Sequence, residues 1–150
     1  MTAPSPTRRL CLLLIDDNPA DCLLAQEAFE QYSEQVSFKV IQDGQRALDW
    51  LHEQAARQSL PDVVLLDVNM PGMSGFEVLS ALRNEPIFRH LPVVMLTTST
   101  RQEDVDQAYE LIASSYLVKN PDFRGFLEQV DSLVRFWSRV RFRQQPPQAR

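Results

Sequence analysis

Apolar residues fall along this chain in short unbroken runs, and each run stops at a carboxylate, a hydroxyl or a turn. Leu10 to Ile15, the Val and Leu residues between Asp62 and Asp67, and Val93 to Leu96 show no alternation of apolar and polar positions. Each therefore reads as a strand covered on both faces. Val36 to Ile41 alternates enough to lie near a sheet edge, and Ser115 to Val118 makes a short fifth strand closed by Lys119.

Helical spacing fills the intervals. Asn18 is an N-cap with Pro19 at the first helical position, and Leu23, Leu24, Phe29 and Tyr32 offer a face to bury. Asp43-Gly44 leads into a helix carrying Ala47, Leu48 and Leu51 that ends before Ser59-Leu60-Pro61. Ser74 to Leu82 reads as helix through Phe76, Val78, Leu79 and Leu82, after which Pro86 and Pro92 bracket a loop. Glu103 to Ile112 is a weakly apolar helix with Val105, Ala108, Tyr109 and Ile112 in period. From Asp122 to about Val140 the helix period runs unbroken through Phe123, Phe126, Leu127, Val130, Leu133, Val134 and Trp137. Five strands alternating with five helices, at connections too long for hairpins, imply crossovers. The fold class is α/β: a single doubly wound five-stranded parallel sheet flanked by five helices.

Composition narrows the role. The 150 residues suit one domain, and 44% apolar content is ordinary for a globular chain. Twenty acids against fifteen bases, a net charge of −5, argue against a nucleic-acid surface. Cys11 and Cys22 have no His partner at metal spacing and read as reduced, buried thiols. His52 and His90 are isolated and read as surface residues. Residues 1–9 lack the apolar core of a signal peptide, no run is long enough to span a membrane, and the expected location is cytoplasmic. The expected organisation is a tail over 1–9, a core domain over 10–134 and a helical extension with a disordered tail over 135–150.

In a parallel sheet all carboxyl ends share one edge, so topology gathers Asp16, Asp17, Asp67, Thr97 and Lys119. Capping explains one Asp at a strand end, but not several strands ending alike. Crowded carboxylates repel one another unless a cation intervenes. A few hard oxygen ligands suit Mg²⁺, which keeps waters for an oxyanion substrate. Lys119 is either a stabilising ion pair or, beside a metal, a second contact for a phosphoryl oxygen.

Taken together, Asp16-Asp17, the turn Asp67-Val68-Asn69-Met70-Pro71-Gly72-Met73-Ser74-Gly75, Thr97, and Tyr116-Leu117-Val118-Lys119 resemble the receiver domain of two-component response regulators. The resemblance covers about Leu10 to Val134 and implies the flavodoxin-like strand order 2-1-3-4-5. It implies that Asp67 accepts a phosphoryl group from the phosphohistidine of a sensor histidine kinase. It further implies that Asp17, Asp67 and the Asn69 carbonyl ligate Mg²⁺, with Asp16 acting through water. Lys119 and the Thr97 hydroxyl would engage the phosphoryl oxygens, and Tyr116 would turn inward as Thr97 moves. Asn69 and Ser99 would tune the lifetime of the phosphate. The Asp104 to Tyr109 segment and the Phe136-Trp137 ending are most similar to single-domain regulators that accompany bacterial phytochrome kinases.

Three departures stand out. Family members usually follow the Lys with a cis Pro, whereas Asn120 precedes Pro121 here, which leaves the isomer open. Thr98 replaces a small residue and would narrow phosphoryl access, and Ile112-Ala113 stands where the family has Gly-Ala. Beyond the core, Phe136 and Phe142 fall out of register among Arg135, Arg139, Arg141 and Arg143. That leaves an apolar face expected to form a homodimer with the fourth helix, fifth strand and fifth helix. The alternatives are an aspartyl-phosphate phosphatase, or a phosphorelay intermediate. A haloacid-dehalogenase-type phosphatase needs an acid at position 69, which is Asn69 here. A flavin module would need a phosphate loop where Asp16-Asp17-Asn18 stand.

Overall fold

The computed structural model describes residues 8–142; residues 1–7 of the tail expected over 1–9, and the end of the chain from 143, lie outside the described residues. Its elements run β1 (Leu10–Ile15), α1 (Pro19–Glu30), β2 (Val36–Ile41), α2 (Gly44–Ala56), β3 (Val63–Leu66), α3 (Gly75–Asn84), β4 (Val93–Thr97), α4 (Gln102–Glu110), β5 (Ser115–Val118) and α5 (Phe123–Arg139). All strand pairs are parallel and the sheet order is β2-β1-β3-β4-β5, as the resemblance implies.

The unbroken apolar runs are explained by two cores, one on each face of the sheet. Leu13, Ile15, Val64, Leu66, Val93 and Met95 pack toward α2, α3 and α4. Their neighbours Leu12, Leu14, Val63, Leu65, Val94 and Leu96 pack toward α1 and α5. A strand residue on either side is thus buried, which removes any alternation. Each such aliphatic side chain contributes about 1.5–3 kcal/mol relative to exposure.

Local chemistry fixes the helix starts. The side chains of Asn18, Asp43, Ser74 and Asp122 accept backbone N–H bonds at the first turns of α1, α2, α3 and α5. Arg8 pairs with buried Asp62, and the Arg9 guanidinium donates to the Ser33 and Val36 carbonyls, so the domain's contacts begin before Leu10.

Several expectations need correction. The buried face of α1 is Cys22, Ala25, Ala28 and Phe29, while Leu23 and Leu24 are exposed. Small residues let α1 lie close to the sheet, which turns the two leucines outward. The loop between Pro86 and Pro92 contains a 3-10 turn, Pro86–Phe88, that buries Phe88. In α4 only Ala108 is buried; Tyr109 is exposed within the helix, and Ile112 is exposed beyond its end at Glu110. Phe123 is exposed at the start of α5. Phe142 packs back after the helix ends, stacking on Trp137 at 6.0 Å, and only Phe136 stays outside, 61% exposed. Cys11 is half-buried rather than buried. His52 lies at the surface as expected but is not isolated: its ring bonds Glu85 at 2.7 Å and meets Phe88 edge-on. No described peptide bond is cis, which answers the question at Asn120-Pro121.

Candidate functional site

The ends of β1, β3, β4 and β5 converge because their ladders end together. Asp67 N–H bonds the Ile15 carbonyl at 3.0 Å, and Lys119 N–H bonds the Thr97 carbonyl at 2.8 Å. Carboxylate oxygens of Asp16, Asp17 and Asp67 all lie within 4.8 Å of one another. Asp16, Asp67 and Thr97 are buried, and Asp17 is half-buried at the mouth.

Asp16 is fully engaged: Oδ1 accepts from the Asn18 N–H at 3.0 Å and Oδ2 from Lys119 Nζ at 2.8 Å. Asp21, which the sequence reading passed over, lies 3.5 Å from the same ammonium. Its signal was its place in the first turn after the Asn18 cap, which sets it over the carboxyl edge. Burial works against the Lys119 ammonium, but the Asp16 hydrogen bond and the charges of Asp16, Asp21 and Asp67 outweigh it and raise the lysine above its ordinary value. Burial pushes Asp67 up, and Asp16 adds to that, against the opposing Thr97 hydroxyl bond and Lys119 charge. Burial and Asp16 push the Cys22 thiol up to about 11, and its Sγ–H donates to the Asp16 carbonyl at 3.1 Å, so it stays a thiol.

The turn after Asp67 is built around a close approach. Gly72 has φ +82, and a Cβ on Gly75 would stand 2.0 Å from the Asp67 carbonyl oxygen, so only glycine lets α3 begin there. Asn69 is exposed beside this turn. On the far side, the Ser99 N–H donates to Thr97 Oγ1 at 3.2 Å, its hydroxyl donates to Asp104 at 2.5 Å, and its carbonyl accepts from Tyr116 OH at 3.1 Å. Ser99 thus joins Thr97, Tyr116 and the first turn of α4; its hydroxyl faces α4. The sequence signal for Asp104 was only its helix-start position. Beside Lys119 a cleft of about 370 Å³ is lined by Leu24, Thr98, Val118, Pro121 and Phe123 among others. The apolar residues expected in the core therefore rim the site.

Three hard carboxylates and a lysine at one sheet edge fit a small divalent ion with room for an oxyanion. Comparison with known proteins decides the family. The profile of the response regulator receiver domain matches residues 12–131.

The chain belongs to the response regulator receiver family.

Among its relatives, the "Probable methanogenesis regulatory protein FilR2" of Methanothrix harundinacea is 39% identical over 84% of this chain and 82% of its own length. Response regulator Rcp1 of Synechocystis is 33% identical over 84% of this chain and 87% of its own. The Mn²⁺-bound form of Rcp1 superposes with a TM-score of 0.78 at 30% identity, covering 91% of this chain and 99% of that one. The phosphorylated cyanobacterial phytochrome response regulator RcpA gives 0.80 at 31% identity, covering 87% of this chain and 94% of that one. The receiver is thus similar to single-domain regulators associated with phytochromes. No described helix is long and apolar enough to cross a membrane.

Proposed function

We propose that this receiver accepts a phosphoryl group on Asp67 from the phosphohistidine of a sensor histidine kinase and signals through the resulting change of conformation. The observation that carries the reading is the cluster of Asp16, Asp17 and Asp67 with Lys119 at a single sheet edge. In the transfer, an Asp67 carboxylate oxygen forms the new O–P bond while the N–P bond of the phosphohistidine breaks and the imidazole leaves. Lys119 leaves Asp16 to pair with a phosphoryl oxygen, and the buried Thr97 hydroxyl turns from Asp67 to another. Most of the help is positioning and charge neutralisation, because the loose transition state asks little covalent work of side chains.

Asp17, Asp67 and the Asn69 carbonyl would hold Mg²⁺. Asp16, whose two oxygens are already engaged, would act through water. Bound there, the ion supplies charge neutralisation for the attacking carboxylate and the phosphoryl oxygens. Asn69 and Ser99 set how long the phosphate survives. Movement of Thr97 reaches Tyr116 through Ser99, whose backbone both residues hydrogen-bond.

The kinase partner is of the phytochrome class, a reading supported by the similarity to Rcp1 and RcpA. The exposed rim of Leu24, Val118 and Phe123 gives such a donor an apolar seat beside Lys119. Homodimerisation uses α4, β5, α5 and the C-terminal extension; exposed Phe136 and the groove beside Trp137 favour that face. The domain also hydrolyses its own acyl phosphate and works in the cytoplasm. Intact-mass measurement after incubation with acetyl phosphate tests the reading. One phosphoryl group is expected with Mg²⁺ and none with a chelator; labelling that ignores the ion contradicts it.

A further inference from the structure

β5 is an edge strand with β4 on one side only. The Lys119 N–H points to β4 and bonds the Thr97 carbonyl at 2.8 Å. Backbone groups alternate along a strand, so the Val118 carbonyl and the Asn120 N–H face the open side. Among the described residues no strand lies there to receive them. Instead, Gln129, on the second turn of α5, donates from Nε2 to the Val118 carbonyl at 2.7 Å. Its Oε1 accepts from the Asn120 N–H at 2.8 Å. This is the bonding pattern that the N–H and C=O of one residue of a parallel neighbour make across a ladder. A side-chain amide reproduces it because it carries one carbonyl and an N–H at matching separation.

The rest of the turn supports the same grip. Asn120 Oδ1 accepts from the Asp122 N–H at 2.9 Å, which turns the chain into α5. Gly125 leaves room for the Asn120 side chain, since a Cβ there would stand 2.2 Å from its Nδ2. A proline at position 120 would have no N–H for Gln129 to bind.

We propose that Gln129 is a positioning residue for Lys119. Gripping the peptide groups on both sides of the lysine, it fixes the origin of the ammonium and couples the lysine's movement to α5. The inference rests on the phosphoacceptor reading of Asp67. Without the clamp, the Val118 carbonyl and the Asn120 N–H lose these bonds on the open side of β5, and a small displacement of a charge-stabilising group is costly in a transfer that depends on position.

The test measures Mg²⁺-dependent labelling by acetyl phosphate in wild type, Gln129→Met and Gln129→Glu, each also in a Lys119→Ala background. Met keeps the volume and loses both bonds; Glu keeps the acceptor and serves if the Met variant does not fold. The expected result is labelling slowed about tenfold in the wild-type background. Mg²⁺ affinity should stay within about twofold, since the carboxylates do not touch the clamp. In the Lys119→Ala background the substitution should slow labelling no further. Labelling at the wild-type rate, or equal slowing in both backgrounds, overturns the inference alone. A wild type that takes up no phosphoryl group overturns the reading of the site and the inference with it.

Discussion

Lys119 Nζ lies 2.8 Å from Asp16 Oδ2, and the Asp16 side chain has no solvent exposure. The lysine is therefore the resident counter-charge of an acidic pocket, and engaging a phosphoryl oxygen means giving up that pair. Removing one partner of a buried pair leaves an uncompensated charge. Lys119→Met should lower stability in urea by about 3 kcal/mol at neutral pH without divalent ions. Saturating Mg²⁺ should recover part of the loss, because a second cation then serves the same carboxylates. An equal loss in both conditions would contradict this account of the pocket.

Asp67 carries the opposite sign. Burial raises its pKa above the ordinary 3.8, so between that value and the folded one the folded state holds more protons than the unfolded chain. Stability therefore falls as pH rises through that window. Asp67→Asn should melt higher than wild type at neutral pH in chelator and lose that advantage in Mg²⁺, which binds the carboxylate form. Thermal melts in both conditions check the order of the two proteins.

Gly75 leaves no room for a side chain against the Asp67 carbonyl. Gly75→Ala should cost about 2–3 kcal/mol through forced backbone displacement. It should also slow labelling more than tenfold, since even a 1 Å misplacement of a reacting group can cost about a hundredfold. Denaturation and labelling rates of the same sample separate the two effects.

Ile112 has φ +62 in the loop between α4 and β5, a left-handed conformation that a β-branched residue adopts at a cost. Arg83 holds the loop, donating to the Ile112 carbonyl from Nε at 3.1 Å and Nη2 at 3.0 Å while Nη1 reaches the Leu91 carbonyl at 2.9 Å. Ile112→Gly should raise stability by about 1 kcal/mol, relief of strain outweighing the glycine's extra chain entropy. A neutral or destabilising result in urea would show that the loop relaxes without help.

How far these features could be read in advance depends on where their causes lie. The uninterrupted Val and Leu of β1, β3 and β4 carried the two-sided sheet, because coverage on both faces is a property of the run itself. The convergence of Asp16, Asp67, Thr97 and Lys119 followed from parallel topology alone. The stripe of α1 did not follow, since Cys22, Ala25 and Ala28 lie in the core by being small while Leu23 and Leu24 point out. Spacing alone does not rank a close-packed alanine face against a leucine face. The end of α4 was misplaced because Ile112 suits the helix period, whereas its left-handed turn closes the helix through the Ile112 N–H to the Tyr109 carbonyl and the Ala113 N–H to the Ala108 carbonyl, with Arg83 of α3 on the Ile112 carbonyl. Gln129 was invisible for a similar reason: its partners belong to a strand edge whose openness exists only in the assembled sheet.

The central claim is that one carboxylate, Asp67, carries the phosphoryl group. Borohydride reduces an acyl phosphate to the alcohol, so labelled protein quenched with borohydride and digested reports the acceptor by peptide mass. The account predicts homoserine at position 67 in wild type treated with acetyl phosphate and Mg²⁺, and none in Asp67→Asn. Reduction found at Asp16 or Asp17 instead, or at no aspartate in protein carrying the phosphoryl mass, would contradict it.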